Sequence, residues 1–213
     1  MPEKIVLDMP LSKAMETQRA IRRLKPDPVD DALVIRLIEL ALKAPSGSNA
    51  QIWEFIIVKD PAVKKKIASL NRLVVRLGGR YGRSDDPQRK KIWNAVLWQA
   101  DHFEEIPVIV VACLKGLRLP LPHILAATYF GSIFPSVQNL LLAARAANLG
   151  ATLITLPLWN LFALRRALGL PRRITPCALI PLGWPMGGYG PTRRKSIHDV
   201  VSFDRYGNRR DEG

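Results

Sequence analysis

Residues 106–114, Ile-Pro-Val-Ile-Val-Val-Ala-Cys-Leu, contain no charged side chain. A short apolar run rich in branched residues reads as a strand buried on both faces. It is about half the length a membrane-spanning helix needs. A strand of that kind must be covered from both sides, so the rest of the chain has to supply layers around it. "CALIPLG" at 177–183 reads as a second such strand, and "IWEFIIV" at 52–58 and "ATLITL" at 151–156 as two more.

Helical patterns lie between them. Val34, Leu37, Ile38 and Ala41 recur along one face, with Asp27 and Pro28 as a start signal and Pro45 as a stop. A second helix starts with Asp60 as cap and Pro61 at its first position. Residues 125–149 form a long helix pattern that Gly150 is placed to end, with Pro135 predicting a kink or a late start. Asn160 to Leu168 reads as a short helix with Gly169 after it. The stretch from Gly78 to Lys91 is basic and reads as a mobile loop, and the residues after Gly190 as an extended polar tail. Few strands and dominant helices predict an α+β fold with helices packed on a central mixed sheet.

At 213 residues, one domain over 1–213 is expected. The start is charged and lacks the apolar core of a secretory signal, and no run is long enough to span a membrane. Cys113 and Cys177 sit in apolar runs, as buried reduced thiols do, so the expectation is a cytoplasmic protein. His102, His123 and His198 are scattered, and no metal site is expected. The net charge of +14 invites a nucleic-acid reading. No nucleic-acid-binding signature accompanies it, and phosphorylated small ligands would be drawn to the same surface.

Three stretches stand out together: "TQRAIRRL" with Arg19, Arg22 and Arg23, the turn "APSGSNAQIW" at 44–53, and "PTRRKSIHDVV" with Arg193 and Arg194. Taken singly each has an ordinary reading. Arginines commonly make a solvated helix face, Ser-Gly-Ser-Asn suits a turn, and Trp53 suits a core. Their joint order resembles the FMN-dependent nitroreductase family, in which an arginine-rich helix end is followed, one helix later, by an Ala-Pro-Ser-x-x-Asn-x-Gln-x-Trp turn. Ala44, Pro45, Ser46, Asn49, Gln51 and Trp53 fill every one of those positions. "PLGWPMGGYGPTRRKSIHDVV" is similar to the family's ending. The resemblance covers most of the chain and is weakest between Gly78 and Asp101.

The resemblance implies a homodimer with a domain-swapped arm, here about 186–213, a variable lid segment over about 72–101, and two FMN molecules at the subunit interface. Pro45 and Ser46, with Ser48 beside them, would lie along the isoalloxazine, and Asn49 and Gln51 would reach or support FMN across the interface. Arg19 and Arg194, with Arg193 next to it, match phosphate-holding positions, which suits bidentate guanidinium chemistry. Arg22 matches a basic position near the pyrimidine edge, where reduction builds negative charge. Ala20 occupies a contact position where many members carry serine, Gln18 stands where many carry arginine, and Thr192 replaces a frequent lysine. Ile154, Thr155 and Leu156 match backbone positions near flavin N5 and O4, although a buried strand end would read the same.

The implied activity is oxidoreduction: NAD(P)H gives hydride to FMN, and a nitroaromatic, quinone or related acceptor takes its place in ping-pong order. No catalytic side chain is required, because the cofactor carries the chemistry. Two alternatives stand beside it. One is other flavin chemistry of the family, reductive dehalogenation or destruction of the flavin. The other is a basic nucleic-acid-binding module without flavin.

Overall fold

A computed structural model describes residues 5–78, 85–117, 120, 122–192 and 194–209. Four strands, β1 (Trp53–Val58), β2 (Val108–Lys115), β3 (Gly150–Ala151) and β4 (Ile174–Gly183), form one sheet in the order β1-β2-β4-β3. All three ladders are antiparallel, with Trp53 opposite Leu114, Val108 opposite Leu182, and Gly150 opposite Gly183. The parallel component is a single bridge between Ala20 and Ala151.

The apolar run behaves as its composition demands. Alternate residues of a strand face opposite sides. Val108, Val110, Ala112 and Leu114 of β2 join one core with Val34 and Leu37 of helix α2 (Asp31–Ala41) and Ile133, Val137 and Leu140 of helix α5 (His123–Ala146). Ile109, Val111 and Cys113 join a second core with Ile67 of α3 (Pro61–Leu77), Phe103, and Leu164 of α6 (Leu161–Ala167). The sheet is thus sandwiched between helices, as expected. Both cysteines are buried free thiols.

Local cap chemistry sets most boundaries. Asp60 accepts from the Val63 amide at 2.8 Å with Pro61 behind it, as predicted. Helix α2 starts later than its sequence suggests, because Asp30 rather than Asp27 takes the cap, accepting from Ala32 at 3.0 Å. The predicted loop from Gly78 is corrected in part. Residues 79–84 lie outside the described residues, but Asp86 caps a further helix, α4 (Pro87–Asp101), with Pro87 at its first position. The long helix does not start late: α5 runs through Pro135 from His123. Its end is made by Asn148 at φ 57° rather than by Gly150, which instead belongs to β3.

The third strand is far shorter than "ATLITL" suggests. Thr152 N–H reaches the Pro181 carbonyl at 3.3 Å, but Pro181 has no N–H to return. The ladder lapses there and resumes only as one bridge between Ile154 and Leu179.

Candidate functional site

The arginine stretch is not a helix face. Helix α1 (Leu11–Thr17) ends before it, and Gln18 is already extended. From there the chain runs along the β3 edge of the sheet. Ile21 N–H donates to the Ala151 carbonyl at 3.0 Å, and Thr152 Oγ1 donates back to the Ile21 carbonyl at 2.9 Å. Lys25 N–H reaches Trp184 O at 2.8 Å, and Met186 N–H reaches Arg23 O at 3.0 Å. Arg19, Ala20 and Arg22 are therefore mounted on a backbone fixed at both ends. Arg19 and Ala20 are exposed, whereas Arg22 is half-buried, and burial lowers its guanidinium pKa from the ordinary value. A cation held where solvent is thin acts more strongly on a neighbouring charge.

The segment after β4 comes back to this edge. Thr192 N–H and Oγ1 both donate to the Glu16 carbonyl, at 3.3 and 3.1 Å. Arg19 lies against Gly190, where an added Cβ would stand 3.4 Å from its Nη1. Arg194, exposed, follows two residues beyond Thr192, so Arg19 and Arg194 belong to adjoining segments. Arg193 lies outside the described residues. Ile154, Thr155 and Leu156 continue from the same edge. Ile154 pairs with Leu179, and Thr155 opens a short 3₁₀ turn over Leu156–Asn160. Thr155 and Leu156 are exposed.

The quoted turn is built differently. Ser48, Asn49 and Gln51 all have positive φ, at 51°, 52° and 48°. Non-glycine residues held there store backbone strain of roughly 1–3 kcal/mol each, and such strain clusters at functional sites. Ser46 Oγ accepts from Gln51 N–H at 3.1 Å, and Gln51 Nε2 donates to Asn49 Oδ1 at 3.0 Å. Gly47 N–H donates to Ser132 Oγ at 3.1 Å, and a Cβ on Gly47 would meet Thr128 Cγ2 at 2.8 Å. The turn is clamped onto α5 with Pro45, Ser48, Asn49 and Gln51 exposed. Trp53 is core, as its ordinary reading holds, and donates from Nε1 to Ser132 O at 2.9 Å.

One chain does not bring these halves together. The turn sits at Thr128 and Ser132, whereas the arginine half is tied to α5 at Arg145. From Ser132 to Arg145 the helix rises about 20 Å. The sheet agrees, since the turn leads into β1 at one edge and the arginines flank β3 at the other.

Three features escaped the sequence reading. Arg145 is buried, and its Nε donates to Thr17 Oγ1 at 2.8 Å while its Cζ stacks 3.9 Å from the Tyr189 ring centre. Its signal was a lone charge in the apolar helix stretch "LLLAARAA". Lys64, also buried, donates to the Ile106 carbonyl at 2.9 Å. On α4, Trp98 stacks on His102 with ring centres 4.1 Å apart, and Arg23 approaches the Trp98 ring at 5.9 Å, so this helix borders the arginine half. Among the described residues no cluster of His, Cys, Asp and Glu could hold a metal, and no helix is long and apolar enough to cross a membrane.

A model of the Nitroreductase family matches residues 15–184, which span the arginine segment, the turn, helix α4 and all four strands. Iodotyrosine deiodinase 1 of Rattus norvegicus is 27% identical over 192 residues, covering 88% of this chain and 67% of that one. An NADH dehydrogenase of Thermus thermophilus is 27% identical over 212 residues, covering 86% of this chain and 91% of its own. A crystal structure of oxidized iodotyrosine deiodinase bound to FMN and 3-iodo-L-tyrosine superposes with a TM-score of 0.73 at 21% identity, covering 92% of this chain and all of that one, a likeness of fold.

Proposed function

This chain belongs to the nitroreductase family, and on that premise we propose that it is an FMN-dependent oxidoreductase acting as a homodimer. Bound FMN supplies the redox chemistry, passing hydride from NAD(P)H to a nitroaromatic, quinone or related acceptor. The observation that carries the reading is the arrangement at the β3 edge. Two segments meet there, one carrying Arg19 and the other, tied to Glu16 O through Thr192, running on to Arg194.

That donor set fits a phosphate dianion. Guanidinium groups on fixed backbone bind phosphate with charge-assisted, bidentate bonds. Arg193 would add a third cation. Arg22 would supply a partly desolvated positive charge for the pyrimidine edge. Thr155 and Leu156, both exposed, would face the N5 and O4 edge. Pro45, Ser46 and Ser48 would cover the flavin from the second subunit, with Asn49 and Gln51 locked to each other for that approach. A second copy would bring a turn to these cations, since the two halves of one chain stand about 20 Å apart along α5. The same chain exposes Leu11, Met15, Ile124, Ile197 and Val200, apolar surface that association would bury. A lid over about 72–101, which includes α4, would close over the acceptor.

The test begins with the purified protein, which should carry yellow FMN identifiable after denaturation. NADH or NADPH without oxygen should bleach it, and a quinone or nitroaromatic should restore it. Parallel double-reciprocal lines should follow from ping-pong order, since reductant and acceptor share one pocket. A colourless protein that takes up no FMN would defeat the proposal and favour the basic binding module.

A second reading, reductive dehalogenation, is favoured by the deiodinase among the relatives. It predicts halide release from a halogenated tyrosine by dithionite-reduced protein, with no bleaching by either nicotinamide.

A further inference from the structure

Arg145 raises a question of its own. It is a guanidinium only 7% exposed, in the last turn of the helix around which both core and site are organised. A buried cation is costly unless compensated. Its partners are neutral: Thr17 Oγ1 at 2.8 Å, Asn148 Oδ1 at 3.1 Å and the face of Tyr189 at 3.9 Å. Among the described residues it has no carboxylate partner in an ion pair. The helix C-terminus itself offsets part of the cost, since a positive charge is favoured there.

The partners are what make the position informative. Asn148 is the left-handed residue that closes α5, so one arm of the fork fixes the helix end. Thr17 is the last residue of α1, two before Arg19, and its hydroxyl donates onward to Lys13 O at 2.6 Å. Tyr189 lies in the arm, one residue before the Gly190 that packs on Arg19 and five before Arg194. Among the described residues its buried hydroxyl has no hydrogen-bond partner, so there the ring is held by the cation and by packing rather than by its own polar end. Burial pushes that phenol up to about 12, keeping it neutral under the cation at physiological pH.

We propose that Arg145 is a positioning residue that clamps the end of α1 to the C-terminal arm and so sets the spacing between Arg19 and Arg194. It touches neither flavin nor substrate. It acts through the two segments that carry the phosphate-binding cations, and the proposal therefore rests on the phosphate reading above.

The experiment compares FMN with riboflavin, which lacks the phosphate, by equilibrium titration of the flavin-stripped full chain. Wild type should bind FMN far more tightly than riboflavin. Arg145→Met should lower FMN affinity about tenfold or more, the cost of misplacing one charge-assisted bond, while riboflavin affinity stays within about twofold. Arg145→Lys keeps charge without the planar fork and should fall between them. Tyr189→Leu removes only the aromatic face from a partly exposed arm, which protects the test should the Arg145 variants fail to fold. It should cost FMN about threefold to tenfold, again without riboflavin loss.

Parallel losses of both flavins in step with a lowered melting temperature would make Arg145 merely structural and overturn the clamp. Variants that keep the full wild-type preference for FMN would overturn it as well. A wild type that binds both flavins equally would remove the phosphate reading first and the clamp with it.

Discussion

Gly150→Ala tests whether the arginine segment must lie flat on β3. A Cβ at this position would stand 2.6 Å from Leu24 Cδ2, 2.8 Å from Ile21 Cγ2 and 3.1 Å from Ile21 Cβ. Leu24 is only 3% exposed and has little room to swing away. Ile21 is β-branched and stiff, and a contact to its Cβ is relieved only by moving backbone. Overpacking of this kind costs about 1–3 kcal/mol, and the reduced freedom of the unfolded chain returns about 0.4–1 kcal/mol. The net expectation is destabilisation by about 1–2 kcal/mol, a fall in melting midpoint of roughly 2–8 °C. Because Arg19 and Arg22 flank Ile21, displacement also degrades flavin binding. Loss of one charge-assisted bond corresponds to about 10- to 100-fold weaker FMN binding. Thermal denaturation at fixed protein and FMN concentration, with fluorescence titration of FMN, measures both. Gly78→Ala is the control, since Gly78 has φ −74° and no described residue within 4 Å of an added Cβ. It should be neutral or slightly stabilising. Wild-type melting and wild-type FMN affinity in Gly150→Ala would refute the reasoning.

Arg19→Ala and Arg194→Ala should each weaken FMN binding about 10- to 100-fold with little change in melting temperature, and unchanged affinity in both would remove the phosphate assignment. Trp53→Phe removes the indole donor to the Ser132 carbonyl and underfills the core, and should destabilise by roughly 1–3 kcal/mol in a urea titration. Burial raises the thiols of Cys113 and Cys177 from 9.0 to about 12, so the folded chain holds protons that the unfolded chain releases between those values. Stability should therefore fall as pH rises above about 9, and the Cys113→Ala/Cys177→Ala double variant should show a shallower fall over the same range. An identical slope in the two proteins would contradict the assignment. Sedimentation of the FMN-bound protein at micromolar concentration should give twice 23.8 kDa, and a flavin-bearing monomer would count against the dimer.

Elements governed by neighbouring residues were legible in the sequence. The continuous apolar run of β2, the Asp60–Pro61 cap and the stop before Pro45 each act within a few positions. Asp86–Pro87 carries the same start signal as Asp60–Pro61, but the surrounding basic residues disguised α4 as a loop. The shortened β3 was not legible because its cause, the missing N–H of Pro181, lies on the partner strand. The arginine stretch misled for a similar reason. Read as a helix face or helix end, it is instead held along the sheet edge by hydrogen bonds to Ala151 and Trp184, residues more than a hundred positions away. The turn's identity could be read from its residues, and its strained φ angles could not. Arg145 was visible only as a charge out of place, because the segments it joins meet solely in three dimensions.

In the proposed dimer each flavin site takes its cations from one chain and its turn from another. Co-expression of two differently tagged chains tests it, one carrying Arg19→Ala and Arg194→Ala, the other Ser46→Ala and Asn49→Ala. Each variant alone should retain little FMN. In a mixed dimer isolated through both tags, one site gathers every defect and the other gathers none, so about half a flavin per chain should return. Mixed dimers as flavin-poor as their parents, or FMN held by an isolated monomer, would contradict the account.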